Sequence, residues 1–283
     1  MDSVSRCSRY RSSRVPISTE ERGNLRLAGL LDVWRAFLGG LGWMTRVPVG
    51  RSKRSFEAFS SNGYVFPLIG GVVGGVMSLI VLGLVRLGVP PDVGGFVYVA
   101  ALIGVQGINH SDGLADFADG LAAHGSEDER RDAMKDLNTG IGGTVAVGVA
   151  VLGLYATSSS LMSLSPTLAV TVVFVSEIAA KTGISLEVCL GKASHEGHGS
   201  RHIESTPQWH FLVSLFLAFG LVAVLPEQVV GITILGFGVA TAVLLIRVSR
   251  QNFGGVSGDV FGATNEVVRL TSLVAGVLVS TVL

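Results

Sequence analysis

Apolar residues fall into seven long runs along the chain, at roughly 64–85, 94–109, 140–157, 167–189, 209–225, 229–247 and 267–283. A helix that crosses hydrocarbon needs about 20 mostly apolar residues. The pattern therefore predicts an all-α, polytopic membrane bundle of about seven spans, with the chemistry left to the polar connections. The first run contains Gly70, Gly71, Gly74 and Gly75, a doubled small-xxx-small pattern that suits close helix contact. Residues 27–49 are interrupted by Asp32, Arg35 and several glycines. This segment is expected to lie in the membrane interface or to re-enter it, with Trp34 and Trp43 at headgroup level.

Composition agrees with that reading. Of 283 residues, 48% are hydrophobic and 15% charged, against about a quarter charged in soluble domains. The formal net charge is zero, so no bulk pull toward nucleic acid is implied. Cys7 and Cys189 are far apart and suggest neither a disulfide framework nor a zinc site. Residues 1–26 carry six arginines and no adjacent apolar stretch. They read as a disordered tail, or as an arm touching anionic headgroups, ahead of an integral membrane domain at 27–283.

Positive charges orient the bundle. With the N-terminus in the cytoplasm, inner segments hold eleven, three, two and two Lys and Arg residues, eighteen in all, and the outer connections hold only Arg86. Lysine and arginine favour cytoplasmic loops. The chemically interesting stretches, Thr45–Pro48, His110–Gly143, His195–His202 and Gly254–Glu266, all fall on that inner side.

One of them, HSDGLADFADG from His110 to Gly120, follows an apolar run directly. If it is helical, Asp112, Asp116 and Asp119 lie at about 0°, 40° and −20° around the axis and share a face. Leu114, Phe117, Ala118 and Leu121 take the opposite face, and Gly113, Ala115 and Gly120 flank the acids. Like charges so placed repel and call for something positive. A hard cation such as Mg²⁺ prefers carboxylate oxygens and leaves room for phosphate, which the small neighbours would let approach. The ligand spacing is not that of an EF-hand.

Further acids follow in EDERRDAMKDLNTGIGG. Asp132 and Asp136 are four apart and can share a face. Lys135 is a candidate phosphate contact, and the amides at Gly140, Gly142 and Gly143 can hold an anion at a helix start. Glu127–Asp132 reads as a solvated stretch with i,i+4 pairs. Asp259 and Glu266 bracket Gly262 and Ala263 on one helical face, able to complete a second metal position or hold a ribose. Glu177 and Lys181 sit four apart inside an apolar run, where ionisable groups usually face a bundle interior. They form either an internal ion pair or a substrate contact. His195, His198 and His202 have spacings that zinc can use, but two glycines and a loop context favour a substrate-facing loop. Arg46 is a phosphate partner or a positive anchor.

The chain resembles the cobalamin 5'-phosphate synthase family, also called adenosylcobinamide-GDP ribazoletransferases. HSDGLADFADG matches its H-x-D-G-L-A-D-x-x-D-G motif. TRVPV, FPLIGGVVG, MKDLNTGIGG and SGDVFGATNE follow in family order, from about residue 34 to the C-terminus. Asn138 is a departure, standing where many members carry a basic residue. The resemblance implies transfer of adenosylcobinamide phosphate from adenosylcobinamide-GDP to α-ribazole or its 5'-phosphate, with release of GMP. It implies Mg²⁺ as cofactor and the two substrates and the lipid bilayer as partners, with a homo-oligomer left open. Asp112, Asp116, Asp119 and Asp136 are then the expected metal ligands. Asp136, Asp119 and Lys135 are the catalytic candidates, with a raised carboxyl suited to base chemistry. Arg46, His110, Glu177, Lys181, Asp259 and Glu266 are the substrate-binding candidates.

Two other classes are open to such a chain. A CDP-alcohol-type phosphotransferase also uses spaced surface aspartates, but its D-x-x-D-G-x-x-A-R pattern is broken here. A cation-coupled transporter would keep its acids near the midplane, whereas these lie at span ends.

Overall fold

The computed structural model describes residues 19–282, with side chains from Gly29 onward. Twelve α-helices occur among them: α1 (Thr19–Met44), α2 (Lys53–Ser61), α3 (Phe66–Arg86), α4 (Pro91–Gln106), α5 (Asn109–Ala122), α6 (Glu127–Met134), α7 (Ile141–Leu161), α8 (Pro166–Leu190), α9 (His198–Ser205), α10 (His210–Ala223), α11 (Gln228–Phe253) and α12 (Gly258–Ser280). The only β pairing described is an isolated parallel bridge, Ala193 to Val256.

One expectation for the N-terminal part changes. Helix α1 begins at Thr19, inside the segment expected as a tail, and residues 1–18, with Cys7, lie outside the described residues. Over residues 27–49, α1 runs unbroken to Met44 and the chain turns back after it. Trp34 and Trp43 are both largely exposed on it, at 56% and 45%.

Residues 63–86, 141–161, 166–190 and 228–253 form helices long and apolar enough to cross a membrane. Two more qualify only as bent pairs, α4 with α5 and α9 with α10, each turning through 96°. Against the expected seven spans, the described residues thus hold four, or six with the bent pairs. Helix α12 does not qualify by composition, because Asn265, Glu266 and Arg269 interrupt its apolar character. All three are buried, so their polar groups need partners within the bundle.

Helix α8 is the axis of the fold, enclosed along most of its length and packed against α3, α10, α11 and α12. A helix apolar nearly all round belongs in an interior. Close approach explains half of the glycine pattern on α3. A Cβ on Gly70 would stand 2.7 Å from the Glu177 carbonyl, and one on Gly74 would stand 2.8 Å from that of Phe174. Gly71 and Gly75 face away from α8, and a Cβ on Gly75 would meet nothing.

Candidate functional site

Helix α5 carries the aspartate motif as the spacing predicts, and its apolar face is buried through Leu114 and Phe117. It does not continue α4. Gly107, at φ 79°, breaks the chain, and α5 runs across the end of the bundle onto α7 and α12. Asp112 is exposed, and Asp116 and Asp119 are half-buried.

The small residues beside the acids do not leave room for phosphate. They are where helices touch. A Cβ on Gly113 would lie 2.8 Å from the Asp259 carbonyl and 3.1 Å from the Gly262 Cα, and one on Gly120 would strike Met134 and Phe253. The Gly113–Gly262 contact brings Asp259, on the first turn of α12, beside Asp112 and Asp116. Burial, then Asp112, Asp259 and Asp119 in that order, push the Asp116 carboxyl up to about 6. Asp259 is raised too, chiefly by burial and with a contribution from Asp112, against the lowering effect of Ser257 and His195.

Asp119 has a different task. Its Oδ2 accepts the Gly140 amide at 2.7 Å and its Oδ1 the Gly143 amide at 2.8 Å. The anion held by the glycine-rich start of α7 is therefore this side chain. Asp136 lies apart from the others. Helix α6 ends at Met134, so Asp132 and Asp136 share no helical face, and Asp136 accepts from the Asn138 amide and side chain at 2.9 and 3.0 Å. Those hydrogen bonds lower its pKa. The raised carboxyl expected of a base is Asp116, not Asp136.

The three histidines do not converge. His202 is buried among Phe56, Phe59, Phe66 and Phe261, and His198 lies against Trp43 and Phe56. His195 borders the acids. Its pKa is lowered by burial and then by Lys135, and raised by Asp259. Lys135, exposed at the end of α6, thus stands near the site. Pairing of Lys192 and Ser194 with Val256 ties the histidine loop to the start of α12. His195 is the site residue whose role the sequence left open.

The remaining candidates divide. Arg46 is exposed beside the α4–α5 break, its amide donating to the Val105 carbonyl at 2.9 Å. His110 is buried, with Nε2 3.3 Å from Met44 Sδ. Glu177, Lys181 and Glu266 lie inside the bundle in a network that includes Gln106, Asn265 and Arg269. Glu177 and Lys181 do not pair with each other. Arg269 Nε reaches Glu177 Oε1 at 2.5 Å and its Nη1 reaches Glu266 Oε2 at 2.8 Å. Lys181 donates to Gln106 Oε1 at 3.0 Å and also to Asn265. The network thus holds two basic and two acidic side chains. Asp259 and Glu266, on one helical face in the sequence, thus serve different places. Arg269 was not among the residues singled out from the sequence. Its position within an apolar run was the available signal.

Among the described residues, no group of three or more His, Cys, Asp or Glu side chains is drawn onto one point to hold a metal ion. Asp112 and Asp259 are nonetheless close enough to oppose ionisation of Asp116, and Asp112 that of Asp259. A hard divalent cation suits that donor set, all carboxylate oxygen and repulsive without a positive partner.

An all-α bundle with several helices long and apolar enough to cross a membrane defines a polytopic membrane protein, and a carboxylate cluster lies across one end of it. The model of the cobalamin-5-phosphate synthase family matches residues 36–277, and the chain belongs to that family. The chain is 38% identical over 252 residues to an adenosylcobinamide-GDP ribazoletransferase of Halorubrum lacusprofundi, covering 86% of this chain and 96% of the relative. Enzymes of the same name from Haloquadratum walsbyi and Thermococcus kodakarensis are 37% and 35% identical, over 86% and 84% of this chain and 97% and 96% of theirs. No solved structure matches.

Proposed function

We propose that this chain transfers adenosylcobinamide phosphate from adenosylcobinamide-GDP to α-ribazole or α-ribazole 5'-phosphate and releases GMP. The observation that carries the reading is the convergence of Asp112 and Asp116 with Asp259 across the Gly113–Gly262 contact. The relatives' shared name supplies the donor and acceptor.

Asp112, Asp116 and Asp259 would hold Mg²⁺, which would supply charge neutralisation on a pyrophosphate. Asp119 takes no direct part in bond making: it fixes α5 to the start of α7 and so aims the other acids. A ribazole hydroxyl attacks the phosphorus on the aminopropanol side, and the bond to the GMP phosphate breaks. His195, held below its ordinary pKa by burial and by Lys135, is uncharged at neutral pH and accepts the hydroxyl proton.

The eighteen-to-one division of Lys and Arg supports a cytoplasmic N-terminus and a cytoplasmic site in the cell membrane. The test is GMP release from adenosylcobinamide-GDP and α-ribazole by membranes containing the protein, with and without Mg²⁺. Product that forms only with the cation supports the reading. Asp116→Asn is expected to abolish it while leaving insertion intact, and full activity in that variant rejects Asp116 as a ligand.

A further inference from the structure

A groove of about 760 Å³ opens where the end of α1, the turn after it and the α4–α5 break meet. Among the described residues its lining includes Trp43, Thr45, Arg46, Arg51, Gln106 and Asn109, and no carboxylate. We propose that this groove seats the guanosine diphosphate end of the donor, with Arg46 and Arg51 on its phosphates and Trp43 against the base. The inference rests on the proposed reaction, whose donor carries that group.

Size is the first argument. The groove falls within the range of small-molecule sites, suits a nucleotide and is too small to enclose a corrinoid with its adenosyl group. The corrinoid must therefore extend outside it.

Charge is the second. Arg46 and Arg51 are exposed, and no carboxylate among the described residues forms an ion pair with either. Free guanidinium forks match phosphate oxygens in pairs. A diphosphate calls for two such groups, and ribazole without its phosphate calls for none.

The groove is also built rather than incidental. The turn carrying both arginines is pressed onto α1, with Gly50 at φ 60° because a Cβ there would strike the Leu38 carbonyl. Thr45 Oγ1 accepts the Val47 amide at 3.1 Å, and the Arg46 amide is tied to Val105. The Arg46 stem crosses Gly107, whose missing Cβ would sit 3.4 Å from its Cγ. Trp43 is supported by Phe56, with ring centroids 4.6 Å apart, and is still 45% exposed. An aromatic face held in this way suits base stacking.

Position links the groove to the chemistry. Its floor ends at Asn109, the first residue of α5, and the Asp112 amide bonds back to the Ile108 carbonyl at 2.9 Å. Asp112 is thus about one helical turn, some 5.4 Å of rise, from the groove floor. A pyrophosphate whose guanosine end rests on Arg46 and Arg51 reaches the acids with its other phosphorus. When the bridging P–O bond breaks, that oxygen and its electron pair leave with GMP, and the two arginines offset the charge.

The test uses the full chain in phosphatidylcholine nanodiscs. GDP, GMP, inorganic phosphate and α-ribazole 5'-phosphate are titrated while tryptophan emission is followed, with Trp43→Phe identifying the reporting ring. GDP is expected to bind more tightly than phosphate. Arg46→Gln and Arg51→Gln are each expected to weaken GDP about tenfold or more, raising KM for the donor more than they lower kcat, while Arg86→Gln changes nothing. Wild-type GDP affinity in the Arg46→Gln/Arg51→Gln double variant overturns the proposal. So does phosphate binding as tightly as GDP, loss of the GDP signal in nanodiscs with phosphatidylglycerol, or preference for α-ribazole 5'-phosphate. Nucleotide binding in the groove without GMP release by the wild-type protein would instead reject the proposed reaction.

Discussion

The Asp119 carboxylate closes onto the Gly140 amide at 2.7 Å, joining α5 to the start of α7. With the second bond to Gly143 at 2.8 Å, one side chain satisfies two of the four amides that a helix start leaves without partners. It also sets the rotation of α5, and so the direction of Asp112 and Asp116.

Asp119→Ala is therefore expected to cost about 0.5–2 kcal/mol, the range of a lost helix cap, and to lower GMP release. Asp119→Asn keeps an acceptor oxygen and is expected to cost less. Thermal unfolding in detergent beside the activity assay checks both. A wild-type melting curve for the alanine variant would show that the two amide bonds contribute nothing.

Burial makes the Arg269 network intolerant of single changes. Glu177→Gln leaves Arg269 with Glu266, whereas Arg269→Gln strands two carboxylates at once. Breaking a buried pair costs roughly 3–5 kcal/mol, and the arginine variant is expected to be the worse of the two. Extraction yield and melting temperature give the ranking, and equal behaviour of the two variants would contradict it.

Gly113→Val should separate α5 from α12, because even a Cβ meets the Asp259 carbonyl at 2.8 Å. Activity should be lost as Asp259 moves away from Asp112. Gly75→Val, which adds bulk into open space, should leave activity unchanged. Comparable activity in the two variants would mean that the Gly113 contact does not position the acids.

Proton and cation compete for Asp116. Its folded pKa of about 6 lies above its ordinary 3.8, so in cation-free protein the ionised group costs stability above pH 6. That cost shrinks as pH falls below 6 and is gone only below the ordinary 3.8. With EDTA present, this residue should make the protein more heat-resistant at pH 5 than at pH 7, and Asp116→Asn should remove its contribution. With Mg²⁺ present, the half-saturating concentration should rise as pH drops below about 6. A cation requirement that does not change between pH 5 and pH 7 would rule out ligation by Asp116.

Helical spacing made the α5 face readable, since Asp112, Asp116 and Asp119 are separated by near-whole turns. The same rule misplaced Asp136, which lies two residues past the end of α6, and it joined Asp259 to Glu266 although the bundle separates them. It could not find the partner of Glu177, because Arg269 is 92 residues away. It also gave no indication that His202 belongs among phenylalanines while His195 borders the acids.

The sequence by itself determined the membrane-spanning helical character and the acidic face of α5, because apolar run length and helical period act over neighbouring residues. Only the tertiary structure decided that Asp259 joins the cluster, that Asp119 caps α7, and that Glu177 and Glu266 are neutralised inside. Those outcomes depend on which helix faces meet, and glycine contacts such as Gly113 on Gly262 set that between segments far apart in the chain.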